Sequence, residues 1–156
     1  MYVVSIKTII ARQLRENINV VRAQLAGLDT PSEGWLRTAR KALGMSGAQL
    51  ARRMGKTRAA VSNNEKAELD GRITIATMQQ MAANMNCRLV YAIIPERDVD
   101  EIIEHQARTK ARQLVNQAGV HMALEDQSLS KERLNAEIER MSKEFLSKPS
   151  SIWDDV

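Results

Sequence analysis

The sequence has few aromatic residues, one cysteine and no long apolar run, and each shortage excludes a class of protein. Aromatic residues make up only 3% of the 156 residues, so a core must come from Leu, Ile, Val, Met and Ala, a composition that favours packed helices. The single cysteine, Cys87, excludes an internal disulfide framework and a cysteine-based zinc site. No apolar run reaches the roughly 20 residues that span a bilayer, and no signal-peptide pattern is visible, so we expect a cytoplasmic protein.

Acidic residues are scarce in the first half of the chain and in excess in the second. Residues 1–88 carry 14 Lys and Arg against 6 Asp and Glu, whereas residues 89–156 carry 9 against 13. A basic half suits a polyanion such as DNA, because neutralised phosphates supply most non-specific affinity. The acidic half would repel a polyanion and suits a protein partner; plain solvated surface charge is the alternative.

The N-terminal region, residues 1–29, has the apolar spacing of one amphipathic helix that ends near Gly27. This face either docks on the chain's own core or forms a dimer contact. Its apolar residues are Ile6, Ile10, Leu14, Ile18, Val21 and Leu25.

Residues 30–86 contain four capping signals, each of which predicts the start of a short helix. The first helix is expected to begin at Thr30–Glu33, where Pro31 suits the first turn, and to stop at Gly44. The other three caps are Ser46, Thr57 and Thr74.

Residues 87–95 change period and predict one β-strand, because Cys87–Ile94 is apolar and β-branched and Pro95 ends it. A lone strand needs a partner, so either another chain supplies one or the segment packs on the helices. Symmetric pairing of two copies would give a dimer. The acidic region 96–156 then predicts a helix from Asp98 to about Gly119, a last helix capped by Ser130, and a tail. The fold class is therefore mainly α.

Three positions have the spacing that a helix-turn-helix requires. Ala51 is small enough to let the second helix cross the first closely, Gly55 forms the turn, and Val61 fills the angle between the helices. Together with caps at both helix starts, this spacing predicts DNA binding. The alternative is a small helical domain that uses the same turn without touching DNA.

In a DNA-bound helix-turn-helix, the second helix lies in the major groove with its N-terminal residues at base edges. Arg58 could donate to a guanine and Asn63 to an adenine, while hydroxyls and amides at helix starts bind phosphates. Glu65 is a poor DNA contact and is better explained as a structural partner of a nearby arginine. The candidate DNA-binding residues are Ser46, Gln49, Arg53, Lys56, Thr57, Arg58, Ala59, Ser62, Asn63 and Lys66.

Six segments spread over most of the chain share the pattern of one known family: Gly34–Arg37, Ala48–Arg53, Val61–Glu68, Cys87–Ala92, His121–Gln127 and Ile152–Asp155. They resemble the mobile mystery protein A group of Xre/Cro-like regulators. The resemblance implies a partner encoded alongside this chain, a Fic-domain protein. That partner would be a toxin of the AMP-transferase type, with ATP as its substrate. This chain would then be its antitoxin and the repressor of their operon.

Two positions depart from the pattern of Xre-like domains. Gly47 stands where such domains often have a phosphate-contacting Gln, and Asn64 stands at a usually apolar position. Fic-inhibiting helices often carry a Ser or Thr followed by a Glu and a Gly or Asn, and Ser128–Arg133 matches only the Ser-to-Glu spacing. The candidate toxin-binding residues of the acidic region are Glu125, Asp126, Glu132 and Trp153.

No constellation of catalytic residues is visible, so we predict a protein that is not an enzyme and holds no metal or cofactor. His105 and His121 lack spaced Cys or carboxylate partners, and Cys87 lacks a base. The expected function is operator binding as a homodimer combined with neutralisation of a Fic toxin. The alternatives are an inhibitor whose helix-turn-helix is only a scaffold, and a plain regulator without a toxin.

Overall fold

The computed structural model describes residues 5–124 and 130–154, and the side chains of all of these except residues 121–124. The described contacts divide the chain into two units, residues 25–93 and the described parts of 1–24 and 94–156. The helices of the first unit are α2 Trp35–Ala42, α3 Gly47–Met54, α4 Arg58–Leu69 and α5 Ile75–Asn84. Those of the second are α1 Ile6–Leu25, α6 Val99–Leu124, α7 Lys131–Ser147 and a 3-10 helix, Pro149–Trp153.

The unit of residues 25–93 packs α2 to α5 around one apolar core. Leu50 and Met81 are completely buried at its centre, and partly buried side chains such as Met54 and Met78 close its edges. The remaining buried members are Leu36, Ala51, Val61 and Met85. The core is aliphatic and rich in methionine, as the scarcity of aromatic residues predicted.

Three of the four predicted helix starts in this unit are confirmed. The hydroxyl of Ser46 accepts from the N–H of Gln49, whose side chain accepts in turn from the Ser46 N–H, which completes a capping box. Thr57 and Thr74 cap α4 and α5 in the same way, each accepting a backbone N–H three residues on.

The predicted start of the first of these helices is wrong. The helix α2 begins at Trp35, and the carboxylate of Glu68, from the end of α4, accepts the N–H groups of Trp35 and Leu36 at 2.7 and 3.0 Å. Gly34 precedes it with φ 79°, and a Cβ there would lie 2.8 Å from a Glu68 carboxylate oxygen. A residue distant in sequence therefore supplies the cap, and only glycine fits against it.

The predicted strand is not found. Residues 87–95 contain no helix, turn or bend, and no backbone N–H from Arg88 to Ile94 has a backbone partner in the part of the chain that the structure describes. A strand exists only as one side of a hydrogen-bonded ladder, and a single copy offers this segment no second side.

The second unit is organised around the pair of α6 and α7. Ala111 and Val115 on α6 meet Ile138 on α7 in a small buried cluster. The helix α6 continues to Leu124, beyond its predicted end near Gly119, and Ser130 caps α7 as predicted. The tail forms the 3-10 helix, which the sequence did not indicate.

The helix α1 joins this unit through polar contacts and leaves its apolar face exposed. Asn19 donates to Asp98 and accepts from the Val99 N–H, and Arg15 pairs with Asp100 at 2.7 Å. The face that includes Leu14 is exposed, and α1 has no buried residue. Of the two explanations for this face, docking on the chain's own core does not hold in the described structure.

Candidate nucleic-acid interface

The geometry of α3, the turn and α4 follows from the three positions that the sequence singled out. Ala51 is 3% exposed and Val61 is 1% exposed, so a small and a branched side chain fill the contact between the two helices. Gly55 ends α3 in the left-handed region with φ 63°, which a glycine adopts without strain. The predicted helix-turn-helix geometry is confirmed at all three positions.

Arg40 on α2 and Glu65 on α4 form a largely buried ion pair that joins α4 to α2. Two hydrogen bonds of 2.6 and 3.0 Å join the guanidinium to the carboxylate, and Arg40 also donates to the Met45 carbonyl at 2.9 Å. Hydrogen bonding to Glu65 raises the pKa of Arg40 above its ordinary value. The structural role predicted for Glu65 is confirmed, and Arg40 is its partner.

Residues 36–91 match the helix-turn-helix family model. This matched region begins at the second residue of α2, contains α3 to α5 and continues to Tyr91. No curated protein and no solved structure matches the chain. The chain thus carries a helix-turn-helix domain, and the interface described below belongs to it.

All ten candidate DNA-binding residues are exposed on the helix-turn-helix domain. Arg58, Ala59, Ser62 and Asn63 lie on the first two turns of α4, as predicted for a helix that reads base edges. Their exposure leaves them accessible to a ligand, and no hydrogen bond ties Arg58 or Asn63 to another described residue.

The starts of α3 and α4 contribute neutral polar groups, namely capping hydroxyls and a side-chain amide. The hydroxyls of Ser46 and Thr57 accept from backbone N–H groups of their own helices, so each is engaged as a cap. The carbonyl oxygen of the Gln49 side chain is engaged by the Ser46 N–H, which leaves its NH₂ group to donate. These residues are therefore structural caps at positions where helix amides also attract phosphate.

Arg53 is the candidate whose contacts differ most from the predicted role in DNA binding. Its Nε donates to the carbonyl of Asn84 at 2.6 Å, at the end of α5. A cation at a helix C-terminus stabilises it, so Arg53 serves first as a link between α3 and α5.

A basic cavity beside α4 contains a residue that the sequence analysis missed. Arg37 from α2 lines it together with Arg58 and Lys66, and its volume is about 470 Å³. Glu33 also lines it, but Lys41 contacts that carboxylate at 2.8 Å and holds its pKa below the ordinary value. The sequence singled out Arg37 only within the Gly34–Arg37 segment of the family resemblance and not as a DNA-binding residue, and the packing of α2 against α4 brings it to the cavity.

The two departures from the Xre-like pattern have different settings. Gly47 opens α3, and a Cβ there would meet only the Arg58 side chain, at 3.9 Å. A Cβ at Gly47 would therefore meet only ordinary van der Waals contact. Asn64 is half-buried on α4, next to Glu65.

Two of the candidate toxin-binding residues, Glu132 and Trp153, belong to the other unit of the chain. Glu132 is exposed in the first turn of α7, where hydrogen bonds from its own N–H and from Ser130 lower its pKa. Trp153 is 59% exposed at the end of the 3-10 helix, next to the fully buried Ile152. Glu125 and Asp126 lie outside the described residues.

Two further findings concern sites of other kinds. No helix within residues 5–124 and 130–154 combines the length and the apolar character needed to cross a membrane. Among the same residues, His, Cys, Asp and Glu side chains form no group of three or more that could hold a metal ion.

Proposed function

We propose that this protein is a transcriptional regulator that binds double-stranded DNA through its helix-turn-helix domain. The observation that carries the proposal is the exposed first half of α4, where Arg58, Ser62 and Asn63 face outward beside the basic cavity. A helix of this kind enters the major groove with its N-terminal residues at base edges. Arg58 would donate two hydrogen bonds to a guanine, and Asn63 would pair with an adenine.

The phosphate contacts of the proposed complex come from residues around the reading helix. Arg37 from α2 and Lys66 from the last turn of α4 line the basic cavity, and Lys56 is exposed in the turn that precedes α4. The NH₂ group of Gln49 and the N-terminal amides of α3 and α4 add neutral donors. Such contacts position the protein and make its affinity depend on salt.

The proposed regulator acts as a homodimer. One helix-turn-helix reads only a few base pairs, and two copies related by a two-fold axis read two half-sites about one DNA turn apart. The operator would accordingly be an inverted repeat.

The finer part of the proposal is that this regulator is the antitoxin of a Fic-domain toxin. Its support is the resemblance to the mobile mystery protein A group, which extends beyond the helix-turn-helix to segments such as Ile152–Asp155. The toxin would bind the acidic region 96–156, where Trp153 and Glu132 offer an exposed aromatic ring and an exposed carboxylate.

A second candidate function is a toxin inhibitor in which the helix-turn-helix domain is only a scaffold. Gly47 favours it, because the side chain that often contacts phosphate in Xre-like domains is missing although a Cβ there would meet only ordinary van der Waals contact. Under this alternative, the protein would bind DNA weakly and without sequence preference.

Binding to the DNA upstream of the protein's own coding sequence, compared with scrambled DNA by fluorescence anisotropy, separates the two functions. We expect a preference for the upstream DNA, and Arg58→Ala should lose about 1–3 kcal/mol of that preference. Arg112→Ala is the matched control, since it removes an exposed arginine of α6 outside the domain. Equal, weak binding of both DNAs by wild type and Arg58→Ala would favour the scaffold.

A further inference from the structure

Residues 87–94 form an apolar segment that the described chain leaves uncovered. Val90, Tyr91 and Ile93 are 71%, 67% and 90% exposed, respectively. The segment contains no bend or turn, and its backbone N–H groups have no backbone partners among the described residues. Exposed β-branched side chains and unpaired N–H groups together are the features of an edge that another strand covers.

We propose that this segment pairs antiparallel with the same segment of a second copy, with Ala92 opposite Ala92 at the two-fold axis. This pairing would form the homodimer of the proposed regulator, and it rests on that proposed function for the reason that a dimer is needed. Its evidence, however, is the segment itself, so it can be tested without DNA.

The register follows from the symmetry and from two charges, Arg88 within the segment and Glu96 just after it. A two-fold axis perpendicular to an antiparallel pair places one residue opposite its own copy, because opposed residues share a face. With Ala92 at the axis, Arg88 lies opposite Glu96 of the second copy, and this pair occurs twice. Glu96 begins the bend that follows Pro95, so the pair closes each end of the paired stretch. Val90 then lies opposite Ile94, and Tyr91 opposite Ile93, which are the aromatic and β-branched pairs that stabilise sheets.

The neighbouring registers fit less well. Centring the pair on Tyr91 places Arg88 opposite Ile94, and centring it on Val90 places Arg88 opposite Ala92, so neither gives Arg88 an acidic partner. Centring the pair on Ile93 places Arg88 opposite Asp98. That carboxylate already accepts from Asn19 and from the Asp100 N–H, at 2.8 Å each.

Pro95 also agrees with the Ala92 register. In antiparallel pairs, hydrogen-bonded and non-hydrogen-bonded positions alternate. If Ala92 forms a hydrogen-bonded pair, Val90 and Ile94 form the next one, and Pro95 opposite Leu89 occupies a non-hydrogen-bonded position. The missing N–H of proline costs no hydrogen bond there.

A two-stranded ribbon is marginal in water, so it needs a surface to pack on. The helix-turn-helix unit offers one, an apolar cavity of about 310 Å³ that residues 87–90 border directly. Trp35 and Leu28, which are 42% and 59% exposed, lie on its walls with Met78. The paired strands would cover these side chains.

The first test exchanges the charges of the proposed cross-strand pair and measures self-association by sedimentation equilibrium without DNA. Arg88→Glu and Glu96→Arg each place like charges opposite each other twice, so each should raise the dimer dissociation constant roughly 10-fold. The double variant Arg88→Glu/Glu96→Arg should return it to near the wild-type value. Both side chains are exposed, so thermal unfolding should show the fold retained.

The second test cross-links the axis. In a Cys87→Ser background, Ala92→Cys should oxidise to a covalent dimer, because opposed Cα atoms about 5.5 Å apart lie within disulfide range. Ile93→Cys is the control, since its copies would lie about 8 Å apart, beyond that range.

Several results would overturn this pairing. In sedimentation equilibrium, these are a wild type that stays monomeric at high concentration, single variants that dimerise like wild type, or a double variant that dimerises as weakly as the single ones. In the cross-linking test, it is equal disulfide formation by Ala92→Cys and Ile93→Cys. A monomer that still prefers its upstream DNA would leave the proposed function standing. A dimer with the expected register but no DNA preference would support the pairing and remove the function.

Discussion

Arg40 on α2 and Glu65 on α4 are joined by two hydrogen bonds inside the helix-turn-helix domain. Their side chains are only 12% and 10% exposed, so water replaces a lost partner only in part, from the cavity that both residues border. Both side chains also border the basic cavity, and the pair sets the position of the helix that carries Arg58. The candidate interface therefore depends on an ion pair that was not among the candidate DNA-binding residues.

Arg40→Ala should destabilise the protein by about 3 kcal/mol, because it leaves the Glu65 carboxylate buried without its partner. Urea unfolding followed by circular dichroism measures the change. Lys41→Ala, on the same helix, is the control: its pair with Glu33 is 54% and 42% exposed and should contribute less than about 1 kcal/mol. Similar costs for the two variants would contradict the role given to Arg40.

The helix α2 depends at its start on a residue of α4. Glu68 accepts the first two N–H groups of α2, so the two helices are joined at the end of α4 as well as at Glu65. Glu68→Ala should cost about 1–2 kcal/mol, the range of a lost N-terminal cap. Glu68→Gln, which keeps an acceptor oxygen but loses the charge, should recover part of the loss in the same unfolding experiment. If alanine and glutamine were equally harmless, Glu68 would not be the cap.

The helix starts that the sequence predicted correctly are those whose caps are local. Ser46, Thr57, Thr74 and Ser130 each accept a backbone N–H three residues away, so the signal and its effect lie within one turn of chain. The Thr30–Glu33 signal is local too, but it lost to a carboxylate about 33 residues distant. A local sequence pattern carries no information about a distant carboxylate that can cap the helix at another position.

The same difference separates the site residues that could be predicted from the one that was missed. Arg58, Ser62 and Asn63 follow from the helix-turn-helix spacing, because the motif fixes which side of α4 faces outward. Arg37 reaches the basic cavity only through the packing of α2 on α4. The strand expected at 87–95 failed for a related reason, since its pairing partner is absent from a single chain.

At the scale of the whole molecule, charge follows the division into units. Residues 25–93 carry ten Lys and Arg against five Asp and Glu, whereas the rest of the chain carries 13 against 14. The helix-turn-helix unit therefore attracts a polyanion and the remainder does not. This arrangement suits a protein that binds DNA with one unit and a different partner with the other.

The affinity for upstream DNA should fall steeply with salt, because each neutralised phosphate releases a counterion. Lys66→Ala should reduce the slope of log affinity against log salt by about 1 and weaken scrambled DNA equally. Anisotropy titrations at several salt concentrations measure this, with Arg112→Ala as the control that leaves the slope unchanged. A flat salt dependence in wild type would contradict phosphate binding and favour the scaffold.

Toxin binding and DNA binding should be separable by substitution, because their candidate residues lie in different units. Trp153→Ala removes an exposed ring while leaving the buried Ile152 beside it, so the fold should persist. We expect it to weaken co-purification with the Fic-domain toxin that we propose as the partner. Glu132→Ala should weaken it less, and both variants should bind upstream DNA like wild type. Arg58→Ala should show the reverse. If Trp153→Ala and Glu132→Ala retained the Fic protein fully, the toxin would bind outside these positions, whereas loss of DNA binding in either would contradict the separation of the two functions.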